Sequence, residues 1–200
     1  MYVHSQAPCR IGIAGGGTDL PTWTAERKGQ CLSLAIDLYA HACAITRADR
    51  QVVVVYRERH SAPAATEIAN GLIRESALMH GWIDGFEVHT LSEVSSLGSG
   101  LGVSSSFAVA LAAAFARMTR LARGDEEPSE IDTVTIAREA WTVEIDRLRR
   151  PIGRQDHMAA AHGGLRLYGF KGNGASVERT FDAEDAEWLA SRLVLVQLPT

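Results

Sequence analysis

Two hydrophobic periods alternate along the chain. Residues 31–47 and 51–57 carry alternating or β-branched apolar runs, clearest at Val52–Tyr56, and predict strands of a sheet at least half buried. Residues 66–80 change to a helical period. Ile68, Leu72 and Met79 fall near one face, Thr66 is the candidate cap and Gly81 the stop. FEVHTL at 86–91 returns to a strand pattern. The segment LGSGLGVSSSFAVALAAAFARMTRLARG then runs a glycine loop straight into a helix. Phe107, Leu111, Phe115, Met118 and Leu121 recur at helical spacing, and Val109, Ala110, Ala112, Ala113 and Ala116 make the opposite face apolar too. Such a helix is buried all round. Arg120 and Arg123 complement its negative end, and Gly124 terminates it before an acidic loop. A second helix near 131–149 aligns Val134, Ala137, Trp141, Ile145 and Leu148, with Glu144 at the edge of the stripe. Strand patterns at 165–170 and 176–181, a short helical stretch, and the core-strand pattern LVLVQLP complete the chain, which therefore reads as ending within a domain.

Composition narrows the function classes. Apolar residues make up 46% of 200 and the net charge is −4, enough chain and apolar content for an ordinary globular core. Eighteen of the twenty cationic residues are Arg, but they are scattered among twenty-four acids, so no nucleic-acid surface is expected. Cys9, Cys31 and Cys43 are odd in number and lack CxxC spacing, which argues against a disulfide framework or a zinc site. No signal-peptide core is visible, and no apolar run approaches the roughly 20 residues of a membrane span. A soluble, cytoplasmic protein without a membrane partner is the expectation.

Three segments carry candidate chemistry. In Gly98-Ser99-Gly100-Leu101-Gly102-Val103-Ser104-Ser105-Ser106, glycines allow close backbone approach and successive amides can nest an anion at a positive helix end. No Lys-Ser/Thr pair closes it as in a Walker loop. Ser104 stands where a dinucleotide fingerprint needs a third glycine. A serine-capped turn is the plain alternative. Around Arg10, the run Gly15-Gly16-Gly17-Thr18-Asp19 makes a tight turn presenting a hydroxyl and a carboxylate, suited to sugar hydroxyls or simply to an Asx-type turn. In Pro151-Ile152-Gly153-Arg154-Gln155-Asp156-His157, a carboxylate beside an Arg can accept a proton, and Glu144 can offer oxygen to a hard cation. A capped helix start with a salt bridge is the alternative. His157 and His162 are five apart and share no helical face, which argues against a metal pair.

The three segments in this order resemble the GHMP kinases, which include galactokinase, homoserine kinase, mevalonate kinase and phosphomevalonate kinase. The resemblance is nearest to the D-glycero-D-manno-heptose 7-phosphate kinases: APCRIGIAGGGTDLP resembles their opening motif, GSGLGVSSS their ATP loop, and GRQDHMAAAHGGL their GKQDQYAAAFGG segment. It covers residues 7–170. It implies an α+β fold: a two-layer domain over 1–189 like the second domain of ribosomal protein S5, with a ferredoxin-like C-terminal domain starting at 190–200. It further implies that Gly98 to Ser106 wrap the ATP phosphates, that Ser104 and Glu144 ligate Mg²⁺, and that Asp156 is the catalytic base assisted by Arg10. Gly15, Gly16, Gly17, Thr18, Asp19, Gln155 and Asp156 would bind the sugar.

The implied reaction is γ-phosphoryl transfer to the anomeric hydroxyl of a heptose, D-glycero-D-manno-heptose 7-phosphate, toward nucleotide-activated heptose for capsule or lipopolysaccharide. Fucose- or galactose-type substrates, or a non-catalytic sugar and ATP sensor, are the alternatives. A Rossmann-type oxidoreductase is more distant, since the third glycine is missing and no acidic residue ends a strand about 20 residues after the loop. Arg147, Arg149, Arg150 and Arg154 cluster in sequence, and one of them is a candidate for a phosphate already on the substrate, with a solvated basic turn as the alternative. Val103 stands where relatives have Ser, Ser96-Leu97 where they have Pro-Pro, and Arg149 and Ile152 where glycines are expected. The family's third glycine-rich motif lies in a C-terminal domain beyond this sequence. The sequence allows a homodimer without dictating one.

Overall fold

A computed structural model of the chain describes residues 1–94, 99–125 and 132–194. Seven strands form one sheet around β2 (Gly29–Thr46), whose 18 residues run its full length. β1 (Tyr2–Ala14) lies antiparallel along one edge of β2. The other edge is shared by two strands set end to end: β5 (Phe86–Ser92) against residues 40–46, and β6 (Leu165–Lys171) against residues 29–34. β3 (Val52–Val55) adds parallel to β5, β4 (Arg59–Ala62) pairs with β3, and β7 (Gly174–Thr180) pairs with β6.

Helices cover one face, giving the two-layer α+β arrangement expected from the sequence. Inward residues of the strands, Val3, Ala7, Ala42, Ala44, Val52, Val54, Phe86 and Val88, meet α2 (Gly71–Met79), α3 (Val103–Ala122) and α4 (Thr133–Trp141) in the main core. The alternation that buries them is the period of two read from the sequence. α3 is buried on nearly all sides, as its composition requires, and Phe115 meets Phe86 edge to face with ring centroids 5.5 Å apart. A second core joins Trp141, Tyr168 and Phe170 to Met158 and Ala159 of α5 (Gln155–His162). A third, small cluster of Cys9, Leu101 and Val103 sits beneath the glycine loop. α1 (Pro21–Thr24) follows the first glycine motif, and α6 (Ala183–Ala190) buries no residue.

Several local readings change. The helix expected over 66–80 begins later: residues 65–67 make a single 3-10 turn, and Asn70, not Thr66, caps α2 by accepting from Ile73 N at 3.2 Å. His80 and Gly81, with φ of 78°, end it at the expected place. The helix near 131–149 is two pieces, because α4 passes into a π-helical stretch over Thr142–Arg147. β1, β4 and α5 add to the elements read from the sequence. The terminal strand pattern falls mainly on residues 195–200, outside the described residues. No helix among the described residues is long and apolar enough to cross a membrane.

The core assigns unequal weights to its apolar residues. Phe115→Ala, at a site with no exposure, is expected to cost about 3–5 kcal/mol in urea unfolding, whereas Leu91→Ala, 69% exposed on the open sheet face, should change stability by less than about 0.5 kcal/mol. Equal losses would contradict this packing.

Candidate active site

The site is assembled around the second half of β1. Arg10 N donates to Leu101 O at 3.0 Å, so the glycine loop lies against the strand. The Arg10 side chain then reaches two further elements. Nη1 donates to Gly100 O at 2.6 Å, while Nε and Nη2 donate to Asp156 Oδ1 and Oδ2 at 2.7 and 2.6 Å. This two-pronged pairing fixes the carboxylate in the first turn of α5. Gly102 makes the approach achievable. It holds φ of 73°, and a Cβ there would lie 3.2 Å from Asp156 Oδ2 and 3.3 Å from Arg10 Nε.

Glu144 forms the second centre. The π-helical stretch inserts an extra residue into the turn, and the side chain placed by sequence at the edge of the stripe is fully buried. Ser104 Oγ donates to its Oε1 at 2.6 Å and Ser105 Oγ to its Oε2 at 3.1 Å. His157 Nε2 lies 2.8 Å from Oε2, and Arg150 Nη1 bridges Glu144 Oε1 and Ser104 Oγ, the latter at 2.7 Å. Burial pushes this carboxyl up. The His157 hydrogen bond and charge, then the Ser104 hydroxyl and the Arg150 charge, outweigh it and hold the pKa down to about 2.

The expected site residues divide into those facing the cleft and those spent on holding it. Gly98 lies outside the described residues. Ser99 Oγ accepts from Leu101 N at 3.4 Å. Leu101 and Val103 bury their side chains in the cluster under the loop, so only their backbone can meet a ligand. Ser106 Oγ donates to Pro8 O at 2.8 Å, tying α3 to β1. Gly102, the residue before α3, has no side chain to cap it, whereas Asn70, Asp132 and Asp182 cap α2, α4 and α6. Thr18 Oγ1 donates toward Gly15 O within the turn, and donates toward Gln30 O and accepts from Gln30 N at the start of β2. Asp19 is 2% exposed and accepts from Gly17 N at 3.2 Å and Gln155 N at 2.9 Å. Those oxygens dock the first glycine motif on α5, so the hydrogen bonds of Thr18 and Asp19 hold the turn in place. Gly153 leaves room for this contact, since a Cβ there would fall 1.8 Å from Asp19 Oδ2. Gln155 Oε1 is buried without a hydrogen-bond partner among the described residues.

The arginine cluster separates in space. Arg154, one of the four candidates for a substrate phosphate, is 3% exposed and donates to Gly172 O at 2.7 Å, with its guanidinium carbon 6.0 Å from the Trp141 ring centroid. It braces the β6–β7 turn and cannot meet a ligand from there. Arg147 pairs with Glu75. Arg149 adopts a left-handed φ of 56°, which explains why a glycine is expected at its position. Arg150 alone of the four lines the cleft. Sequence reasoning missed His157 and Ser105 as partners of Glu144. The signal was the i+13 step from Glu144 to His157, readable only once the π-turn and α5 are placed. His162, by contrast, bonds Thr133 at 3.0 Å, away from His157.

Three cavities adjoin. A central one of about 300 Å³ is lined by Arg10, Gly102, Ser104, Glu144, Arg150 and Asp156 among others. Through Ser104 it meets a cavity of about 480 Å³ walled by Leu72, Ile73, Phe107, Leu111 and Asn70. Through Arg10 and Gln155 it meets one of about 610 Å³ along Ile11–Gly16.

Residues 64–164, about half the chain, match the model of the GHMP kinases N terminal domain, and they include the loop, Glu144 and Asp156. The chain belongs to the GHMP kinases. This GHMP kinase chain is 29% identical, over 96% of its length, to the D-glycero-alpha-D-manno-heptose 7-phosphate kinase of Campylobacter jejuni, of which it spans 57%. Its fold is that of a D-glycero-D-manno-heptose 1-phosphate kinase from Bacteroides thetaiotaomicron, with a TM-score of 0.79 at 22% identity, covering 96% of this chain and 62% of that one. It is also that of the Methanococcus jannaschii mevalonate kinase, with a TM-score of 0.66 at 15% identity over 94% of this chain and 58% of that one. The chain therefore spans less than two thirds of each.

Glu144 ties acid stability to this site. Its pKa is depressed on folding, so its contribution is present above the ordinary value of 4.5 and is lost as pH falls toward about 2. In chelator-containing buffer, the wild-type stability should fall over that window more steeply than that of Glu144→Gln. Parallel pH profiles would contradict the assignment.

Proposed function

We propose that this GHMP kinase chain carries the ATP and sugar sites of an Mg²⁺-dependent sugar kinase acting on the anomeric hydroxyl of a heptose, D-glycero-D-manno-heptose 7-phosphate. The observation that carries the reading is a set of three cavities with shared walls, Ser104 lining the first and the central one, and Arg10 and Gln155 lining the central one and the third. A nucleotide base fits the 480 Å³ cavity, where apolar Leu72, Ile73, Phe107 and Leu111 alternate with polar Asn70, Thr90 and Ser92, and a sugar fits the 610 Å³ cavity, which leaves the γ-phosphoryl in the central space between Glu144 and Asp156. The heptose phosphate is supported by the name of the curated relative.

The amides at the start of α3, which follows a glycine, would cradle the triphosphate in the positive field of the helix end. Ser104 Oγ and Glu144 Oε1, two oxygens 2.6 Å apart, suit Mg²⁺, which when bound neutralises charge on the β- and γ-phosphates. Asp156, held in orientation by Arg10, accepts the proton of the anomeric hydroxyl as its oxygen bonds to the γ-phosphorus and the bond to the ADP oxygen breaks. An anomeric hydroxyl is more acidic than an ordinary alcohol, which suits a carboxylate base. The Arg10 guanidinium also sets a fixed positive charge beside the transferring group. Gln155 Oε1, lacking a partner among the described residues, is placed to accept from a sugar hydroxyl.

We further assign residues 1–189 to the domain carrying both sites and 190 onward to the start of a ferredoxin-like domain. A cytoplasmic setting suits three unpaired thiols, among them buried Cys31, which burial and nearby Asp19 push up to about 11.

Coupled ADP release across a panel of sugars and sugar phosphates tests the reading. Turnover should be best with the manno-configured heptose 7-phosphate, and Asp156→Asn should lower kcat by about 10²–10⁴-fold with the KM for ATP little changed. Undiminished kcat in the variant would remove Asp156 as base. Preference for an unphosphorylated hexose would overturn the substrate.

A further inference from the structure

The two ion pairs of the central cavity are built differently. Arg10 meets Asp156 with two nitrogens on two oxygens, a rigid fork. Arg150 uses one nitrogen, Nη1, and with it touches both Glu144 Oε1 and Ser104 Oγ. A single positive point bridging a carboxylate oxygen and a hydroxyl oxygen is the contact pattern of a metal ion, reproduced by a side chain. Glu144 has no exposure while the Arg150 side chain keeps 39%, so the pair is buried at one end and open to the cleft at the other.

We propose that Arg150 is a built-in stand-in for the divalent cation: it neutralises buried Glu144 in the nucleotide-free protein and is displaced when the metal enters with the triphosphate. This rests on the reading of Ser104 and Glu144 as the metal ligands. The backbone favours such an exchange. Arg150 N donates to Glu144 O at 2.9 Å and Ile152 N to Arg150 O at 3.0 Å, so the main chain is fixed and release requires only rotation of a half-exposed side chain. The left-handed turn at Arg149 is what aims Arg150 back at Glu144.

The stand-in answers a physical problem. An ionised carboxylate without exposure is costly unless matched by a cation; the two serines give it hydrogen bonds alone and His157 adds a charge only when protonated, whereas the Arg150 guanidinium is always charged. Free metal must compete with Arg150 for the same two oxygens. Metal held by nucleotide phosphates brings extra ligands of its own and wins more readily. The arrangement therefore couples cation entry to nucleotide binding, and Arg150 is a positioning residue that sets the order of loading.

Mn²⁺ binding without nucleotide, read from loss of the free-ion electron paramagnetic resonance signal, tests this on the wild type, Arg150→Ala, Glu144→Gln and the double variant. Arg150→Ala should bind Mn²⁺ roughly 5–150-fold more tightly than the wild type, the usual range for coupling between two sites. Glu144→Gln should abolish that gain. In chelator the melting temperature of Arg150→Ala should lie below that of the wild type, and Mn²⁺ should restore it. Arg150→Met, which keeps the stem and removes the charge, serves if the alanine variant does not fold. Unchanged or weaker Mn²⁺ binding in the charge-removed variant, with binding still lost in Glu144→Gln, overturns the stand-in while leaving the ligands intact. Mn²⁺ binding that survives Glu144→Gln unchanged overturns the ligand reading and this inference with it.

Discussion

The pairing of Arg10 with Asp156 is the constraint on which the site depends. One guanidinium spends its side-chain donors on the glycine loop and on α5, while its own backbone binds the loop from β1. Three segments distant in sequence are thereby brought to one point. Because the contact with the carboxylate is two-pronged, it sets direction as well as distance, which a single contact cannot do. The side chains keep 14% and 23% exposure, enough to face a substrate while remaining shielded from bulk water. Gly102 lies so close to both that a Cβ there would press on them, at a positive φ that other residues rarely adopt.

The rest of the fold serves to hold that point still. α3 is apolar on nearly every face and sinks into the core, which leaves its amino end fixed beneath the cleft. α5 is short and poorly amphipathic, and it is secured instead by contacts at its start: Asp19 on Gln155 N, Arg10 on Asp156, and His157 on Glu144. Polar groups that a sequence reading assigns to ligands are thus largely structural. They place backbone amides, Asp156 and the Ser104–Glu144 pair, and those remaining groups face the space where chemistry would occur.

Long, uniform signals were legible in the sequence. The α3 helix, the β-branched run in β3 and the glycine loop follow from period and composition alone, and the order of the three motifs pointed to the family. β1 was not read because Pro8 and Gly12 interrupt its alternation, and only pairing with β2 makes it a strand. The π-turn was invisible because its extra residue leaves apolar spacing almost unchanged, yet it decides that Glu144 is buried. Thr66 and Asn70 are both good caps, and the 3-10 turn between them settles the choice. Arg154 misled for a related reason. Its neighbours in sequence line the cleft, but its own position at the start of α5 sends the guanidinium to the turn after β6.

Phosphorus NMR of a reaction containing the protein, MgATP and D-glycero-D-manno-heptose 7-phosphate tests the central claim most directly, because it reports where the phosphoryl group goes. The account predicts ADP resonances accompanied by a sugar phosphate resonance coupled to the anomeric proton. Inorganic phosphate as the sole new product besides ADP, or a new phosphate on a carbon other than the anomeric one, would contradict it.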